Sequence, residues 1–195
     1  MNRLNIFLAG FVLGACTILA IVVLNSPKTR RVESVQAASA FTRSPDTTDF
    51  PRRLTIPVAR ASAADIQDTF NQARGSERRH EATDIIAPRD TPVIAADDGT
   101  IQKLFLSKPG GITIYQFDPT EQYCYYYAHL DRYADGIREN MSVMRGDLIG
   151  YVGTTGNAPS SSPHLHFAIF KLGPEKRWWE GTPLNPYPVL IREFR

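Results

Sequence analysis

The sequence predicts a mainly β protein, an antiparallel sheet with a groove across one face, preceded by an N-terminal transmembrane helix. Three observations lead there. Short runs rich in Val, Ile, Tyr, Phe and Thr recur between Val93 and Phe170, separated by Gly, Pro and Asp turns. Residues 51–195 are enough for one domain with a core of its own, and no internal repeat divides them. Ile6 to Leu24 carries no charge, and at about 1.5 Å per residue it is long enough to cross a hydrocarbon layer of roughly 30 Å.

Taken in order, residues 1–5 form a short flank and residues 6–24 the transmembrane anchor. A cleavable signal peptide fits less well, because its apolar region spans about 7–15 residues and its cleavage site follows closely. Here Ala38-Ser39-Ala40 lies far beyond the apolar run. Leu13-Gly14-Ala15-Cys16 has the form of a lipoprotein box, yet the apolar run continues past Cys16, where a lipidated chain normally turns polar. Residues 25–50 are rich in Ser, Thr, Pro and charge, a linker composition that holds the domain off the membrane. Leu54 to Val58 reads as a short strand confined to an edge by Pro57. Ala61 to Arg74 has helical composition, with Ala63, Ile66 and Phe70 on one face. Strands are expected at Val93 to Ala95, Thr100 to Leu106, Ile112 to Phe117, Tyr123 to His129, Asp147 to Val152 and His164 to Phe170.

Two composition facts exclude function classes. A net charge of +2, with no basic stripe interleaved with aromatics, argues against a nucleic-acid partner. The two cysteines, Cys16 in the apolar segment and Cys124 in the domain, cannot form an internal disulfide from those positions. Cys124, between Tyr123 and Tyr125, reads as a buried strand residue.

The histidines carry the chemistry. All four fall in three short segments: His80 with Asp84 four residues later, His129 in Tyr127-Ala128-His129-Leu130, and the pair in Pro163-His164-Leu165-His166-Phe167. A lone histidine is more often a packing or surface residue, but this set is not scattered. On a strand, residues i and i+2 share a face, so His164 and His166 look into one groove while Leu165 and Phe167 pack behind it. One of the two can then bind a metal while the other stays free for substrate. Catalytic zinc takes three His, Asp or Glu ligands at about 2.0–2.2 Å and keeps a fourth position open. Two histidines and one aspartate complete that count, and two histidines are left for proton transfer and oxyanion stabilisation.

From about Arg78 to Phe170 the chain resembles the lysostaphin-type zinc metallopeptidases, or LytM-domain peptidoglycan endopeptidases. The likeness rests on His80-x-x-x-Asp84, Tyr127-x-His129-Leu130 and His164-Leu165-His166-Phe167. It extends to Ala87-Pro88, Thr91-Pro92-Val93, Asp98-Gly99-Thr100, Arg145-Gly146-Asp147-Leu148-Ile149-Gly150 and the loop Val152 to Asn157. The resemblance implies a LytM-type fold for residues 51–195, with one Zn²⁺ held by His80, Asp84 and His166. It also implies that His129 and His164 are catalytic and flank the attacking water. Arg74 in the basic run before His80, with Thr155 and Asn157 in the loop, are candidate substrate contacts. Two departures stand out: Ala82 where the family usually has glycine, and Thr83 where it usually has an aliphatic residue. If Ala82 needs φ > 0, the loop is strained by about 1 kcal/mol or more.

The implied substrate is peptidoglycan, the bond a D-alanyl-diaminopimelate cross-link, and the location the bacterial inner membrane with the catalytic domain in the periplasm. Charge alone points the other way, since Lys28, Arg30 and Arg31 follow the anchor and only Arg3 precedes it. A non-catalytic LytM-like activator of a cell-wall amidase is the alternative, although such relatives typically lack metal ligands and this chain retains them. A secreted toxin acting on other cells is opposed by the anchor. Trp178 and Trp179 either stack on glycan rings beside the groove or staple the tail onto the domain.

Overall fold

The computed structural model describes residues 50–75 and 78–192. The expected anchor at 6–24, the flank before it and nearly all of the linker lie outside them. Among the described residues no helix is long and apolar enough to cross a membrane.

Nine strands are described: β1 (Thr83–Ile86), β2 (Pro92–Ile94), β3 (Gly99–Ser107), β4 (Gly111–Phe117), β5 (Tyr123–Tyr133), β6 (Met141–Val143), β7 (Leu148–Val152), β8 (His164–Lys171) and β9 (Thr182–Leu184), followed by one helical turn, α1 (Tyr187–Leu190). Every pairing is antiparallel, in the order β1-β8-β5-β4-β3-β6, with β9 beside β8 and β7 bridging β5 to β2. The expected mainly β antiparallel architecture is present.

Alternation along the two central strands explains the two faces. Tyr125 and Tyr127 of β5 and Leu165, Phe167 and Ile169 of β8 point one way and are fully buried. They join Ile85, Val93, Ile101, Ile114 and Ile149 in the main core. Each such side chain contributes about 1.5–3 kcal/mol by leaving water. The intervening residues, Tyr126 of β5 and His164, His166 and Phe170 of β8, face the other side. There a second, smaller cluster of Phe117, Cys124 and Leu172, with Tyr115, Phe170 and Trp178 against it, covers part of the sheet. The metal-site residues occupy the rest. Cys124 is fully buried, as its neighbours suggested.

A buried polar knot closes the far side of the core. Asp97 accepts hydrogen bonds from Arg52, from Arg145 at 2.6 Å and from the Tyr125 hydroxyl at 3.1 Å. Gln116 donates to the Asp97 carbonyl at 2.7 Å, and Tyr127 donates to Gln116 at 2.7 Å. Tyrosines can point into this core because their hydroxyls find partners there.

Two expected elements are not formed. Ala61 to Arg74 is not a helix but a single 3-10 turn, Ala63–Asp65, closed by Ser62 and Asp65. Beyond it the chain is committed to tertiary pairing: Ile66 bridges Ile85, and the carbonyls of Phe70 and Gln72 accept the N–H groups of Glu81 and His80. Those bonds override helical composition. Leu54 to Val58 runs beside β2 but makes only one bridge, Val58 to Val93, because Pro57 has no N–H to give. The strand expected from Asp147 starts at Leu148, since Asp147 closes the preceding turn by accepting the Met144 N–H at 2.8 Å.

Candidate metal centre

β1 and β8 set the site by register. Asp84 lies opposite His166, and His166 lies opposite Ala128 of β5, so the early aspartate and the second histidine of the late pair are neighbours across a ladder. His80 enters from the loop before β1. Three ligand atoms meet: His80 Nε2 stands 3.0 Å from Asp84 Oδ1 and 3.0 Å from His166 Nδ1, and His166 Nδ1 stands 3.1 Å from Asp84 Oδ1. Among the described residues this is the group of His, Cys, Asp and Glu able to hold an ion. A tetrahedral zinc ion with bonds of about 2.1 Å separates its ligand atoms by about 3.4 Å, so the donor set fits after a displacement of a few tenths of an ångström.

Backbone carbonyls, which only accept, fix how three of the rings are turned. His80 Nδ1 is 3.1 Å from the Thr69 carbonyl, His129 Nδ1 is 2.8 Å from that of Thr155, and His164 Nδ1 is 2.9 Å from that of Ser162. Each Nδ1 therefore carries the proton and donates it, which leaves Nε2 as the free lone pair. His166 presents Nδ1 to Asp84 instead. His164 Nε2 lies 3.8 Å from Asp84 Oδ1, and the His129 ring is 5.0 Å from His164 and 5.6 Å from His166, so all four histidines line one space.

Electrostatics support the same arrangement. Burial alone would raise the Asp84 carboxyl, but hydrogen bonds and charge from His166 and His80 hold it well below the usual carboxylate range. Burial lowers His166. His129 is pushed down to about 4, by burial first and by His166 and His164 next, against the raising effect of the Thr155 carbonyl. It is neutral at pH 7.

The local backbone is strained at two points. His129 has φ 61° and sits after β5 stops pairing with β8 and before it begins pairing with β7, at an irregularity in the β4 ladder. Glu81 has φ 56°, beside the first ligand. Ala82 is not among the left-handed residues, so the alanine at the usual glycine position is unstrained; it is fully buried, and exposed Glu81 takes the turn instead. Thr83 is the costlier departure, because its hydroxyl is buried without a partner among the described residues.

The candidate substrate contacts divide. Arg74 reaches Asp84 Oδ2 at 2.8 Å, opposite the oxygen that faces the histidines. The Thr155 hydroxyl donates to the Leu130 carbonyl at 2.7 Å and accepts the Ile112 N–H at 3.0 Å, which locks the loop that orients His129. Asn157 is exposed, with its N–H on the Pro109 carbonyl at 3.0 Å. Thr69 was not foreseen. Besides holding His80, its hydroxyl accepts the Asp84 N–H at 3.2 Å, and nothing in the spacing of residues 61–74 marks it.

Comparison with known proteins agrees with the fold and shows the family. The profile of Peptidase family M23 matches residues 78–186, and the chain belongs to that family. It is 34% identical over 131 residues to the L-Ala–D-Glu endopeptidase of Bacillus subtilis (strain 168), a match covering 64% of this chain and 39% of that protein. It is 29% identical over 181 residues to the peptidoglycan DD-endopeptidase ShyC of Vibrio cholerae, covering 90% of this chain and 37% of the relative. The chain thus spans about two-fifths of the length of these two relatives. Among solved structures, the catalytic domain of the antimicrobial peptidase lysostaphin from Staphylococcus simulans superposes with a TM-score of 0.52 at 28% identity, covering 62% of this chain and 86% of that one.

Proposed function

We propose that this protein is a zinc-dependent endopeptidase that hydrolyses peptide bonds in peptidoglycan. The observation that carries the reading is the convergence of His80 Nε2, Asp84 Oδ1 and His166 Nδ1 within 3.0–3.1 Å of one another, with two further histidines on the same space. His80, Asp84 and His166 would hold the ion, which when bound supplies Lewis acidity to the scissile carbonyl and to the attacking water. His129, neutral and held through Nδ1 by Thr155, accepts a proton at Nε2. His164, held in the same way by Ser162, offers a second Nε2 for proton transfer or for steadying the oxyanion. Tyr126, whose ring lies 6.0 Å from that of His166, walls the site on the β5 side.

Likeness along 90% of the chain to a protein named as a peptidoglycan DD-endopeptidase supports a D-alanyl cross-link as the bond cut. The apolar segment at 6–24 supports a single-pass inner-membrane protein with its catalytic domain in the periplasm. The test is metal analysis and mass spectrometry of muropeptides after incubation with the full-length chain. One zinc per chain is expected, removed by chelation, together with cross-link cleavage that is abolished by chelation and by His164→Ala. Absence of both zinc and cleavage overturns the reading in favour of an amidase activator.

A further inference from the structure

A row of aromatic rings leads away from the metal centre across the sheet. From His166 it passes to Tyr126 at 6.0 Å, to Tyr115 at 4.6 Å, to Trp178 at 4.7 Å and to Trp179 at 5.2 Å between ring centroids. Register explains the first part: Tyr115 of β4 pairs directly with Tyr126 of β5, so both rings stand on the face that carries His166. The loop between β8 and β9 supplies the rest. Trp178 is half-buried against Tyr115 and Phe105, and it fastens the loop to the sheet.

Trp179 is different. It is 62% exposed, its ring partner among the described residues is Trp178, and its indole N–H has no hydrogen-bond partner there. A rigid aromatic plate left in water, with a free donor at its rim, is not needed to hold the tail, because Trp178 already does that. Its surroundings are polar: Arg177 and Glu180 flank the pair in sequence and join each other at 3.1 Å, both exposed. The same loop bounds a cavity of about 530 Å³ lined by Lys171, Glu175, Arg177, Glu180 and Thr182 among others, within the usual size range of small-molecule sites.

We propose that Trp179, with Arg177 and Glu180 beside it, is a saccharide-stacking subsite that takes an N-acetylated hexopyranose of the glycan strand. A pyranose ring presents a flat C–H face to an indole and a rim of hydroxyl and acetamido groups to an N–H, a guanidinium and a carboxylate. An apolar protein partner would leave those charged groups facing a greasy surface and fits less well. The inference rests on the endopeptidase reading, since Trp179 ends an aromatic row that starts at the metal centre, and a glycan there would belong to the strand whose peptide enters that centre. It makes the enzyme sensitive to glycan as well as to peptide.

The experiment compares the full-length wild type, Trp179→Ala and Trp179→Phe on cross-linked muropeptides that retain their disaccharide and on the same peptides freed of glycan. For Trp179→Ala, KM on the glycan-bearing substrate should rise about three- to tenfold, the size of one lost aromatic contact, with kcat unchanged. Its KM on the glycan-free peptide should not move, and Trp179→Phe should recover most of the loss. Equal effects on both substrates, or none, overturn the subsite. In parallel, a chitooligosaccharide titration should change the tryptophan fluorescence of wild type and not of Trp179→Ala. If wild type cleaves neither substrate, the endopeptidase reading fails and this titration alone decides the subsite. A signal insensitive to Trp179, or none, overturns it.

Discussion

Three of the four histidines in the site owe their orientation to one backbone acceptor behind each. Nδ1 of His80, His129 and His164 is claimed by a carbonyl from Thr69, Thr155 and Ser162, and only Nε2 is left for chemistry. Asp84 has a comparable support in Arg74, whose guanidinium lies 2.8 Å from Oδ2 while Oδ1 faces His80 and His166. Its pairing with Asp84 indicates a positioning role for Arg74. Removing such a partner typically weakens a metal site by about 10–100-fold. Arg74→Ala should therefore raise the zinc dissociation constant by that factor, measured by competition with a chromophoric chelator. Helix and sheet content should stay unchanged by circular dichroism, because the Arg74 side chain is 46% exposed and fills no core space. Unaltered zinc affinity would remove Arg74 from the metal site.

At the scale of elements, the loop that orients His129 is held by a close backbone contact. The turn between β3 and β4 lies against the loop between β7 and β8, with the Asn157 N–H on the Pro109 carbonyl and the His129 N–H on that of Gly110. Gly111 has φ 66°, and a Cβ there would fall 2.2 Å from the Thr155 hydroxyl oxygen and 2.5 Å from the Gly156 nitrogen. Gly111→Ala therefore combines left-handed strain with an overlap that backbone cannot relieve, and should cost about 2–4 kcal/mol in urea denaturation. Because Thr155 would be displaced, kcat should fall together with stability. A variant that is destabilised yet fully active would show that His129 does not depend on this loop. This contact also marks the limit of what the sequence tells. The positions of β3, β4, β5, β7 and β8 were legible as β-rich runs between turn residues, and the grouping of His80, Asp84 and His166 from family likeness. β1, β6 and β9, of three or four residues each, were not, since so short a run carries no periodicity. The segment 61–74 misled because its helical residues serve tertiary pairing, and Thr69 is found only once that pairing is seen.

For the molecule as a whole, the question is how the start of the domain is joined to the sheet that carries the site. Phe50 and Leu54 are buried in the main core, and Arg52 between them reaches Asp97, which is completely buried. Burial would raise the Asp97 carboxyl, but Arg52 and Arg145, with Tyr125, keep it below the usual carboxylate range. A depressed folded-state pKa means that this group adds stability above its unfolded value of about 4 and loses it as pH falls through the folded one. Leaving a buried charge wholly unpaired costs about 3–5 kcal/mol. Arg145 and Tyr125 would remain in Arg52→Ala, so a loss of about 2–4 kcal/mol is expected at pH 7. The wild-type advantage over this variant should shrink as the pH falls below about 4, because a protonated Asp97 no longer distinguishes the two chains. Paired urea titrations at pH 7 and near pH 3 measure both quantities. A deficit independent of pH would mean that Arg52 acts through the packing of its aliphatic stem rather than through its charge. The metal centre lies on β1 and β8, away from this knot, so zinc stoichiometry should stay at one per chain wherever the variant is folded.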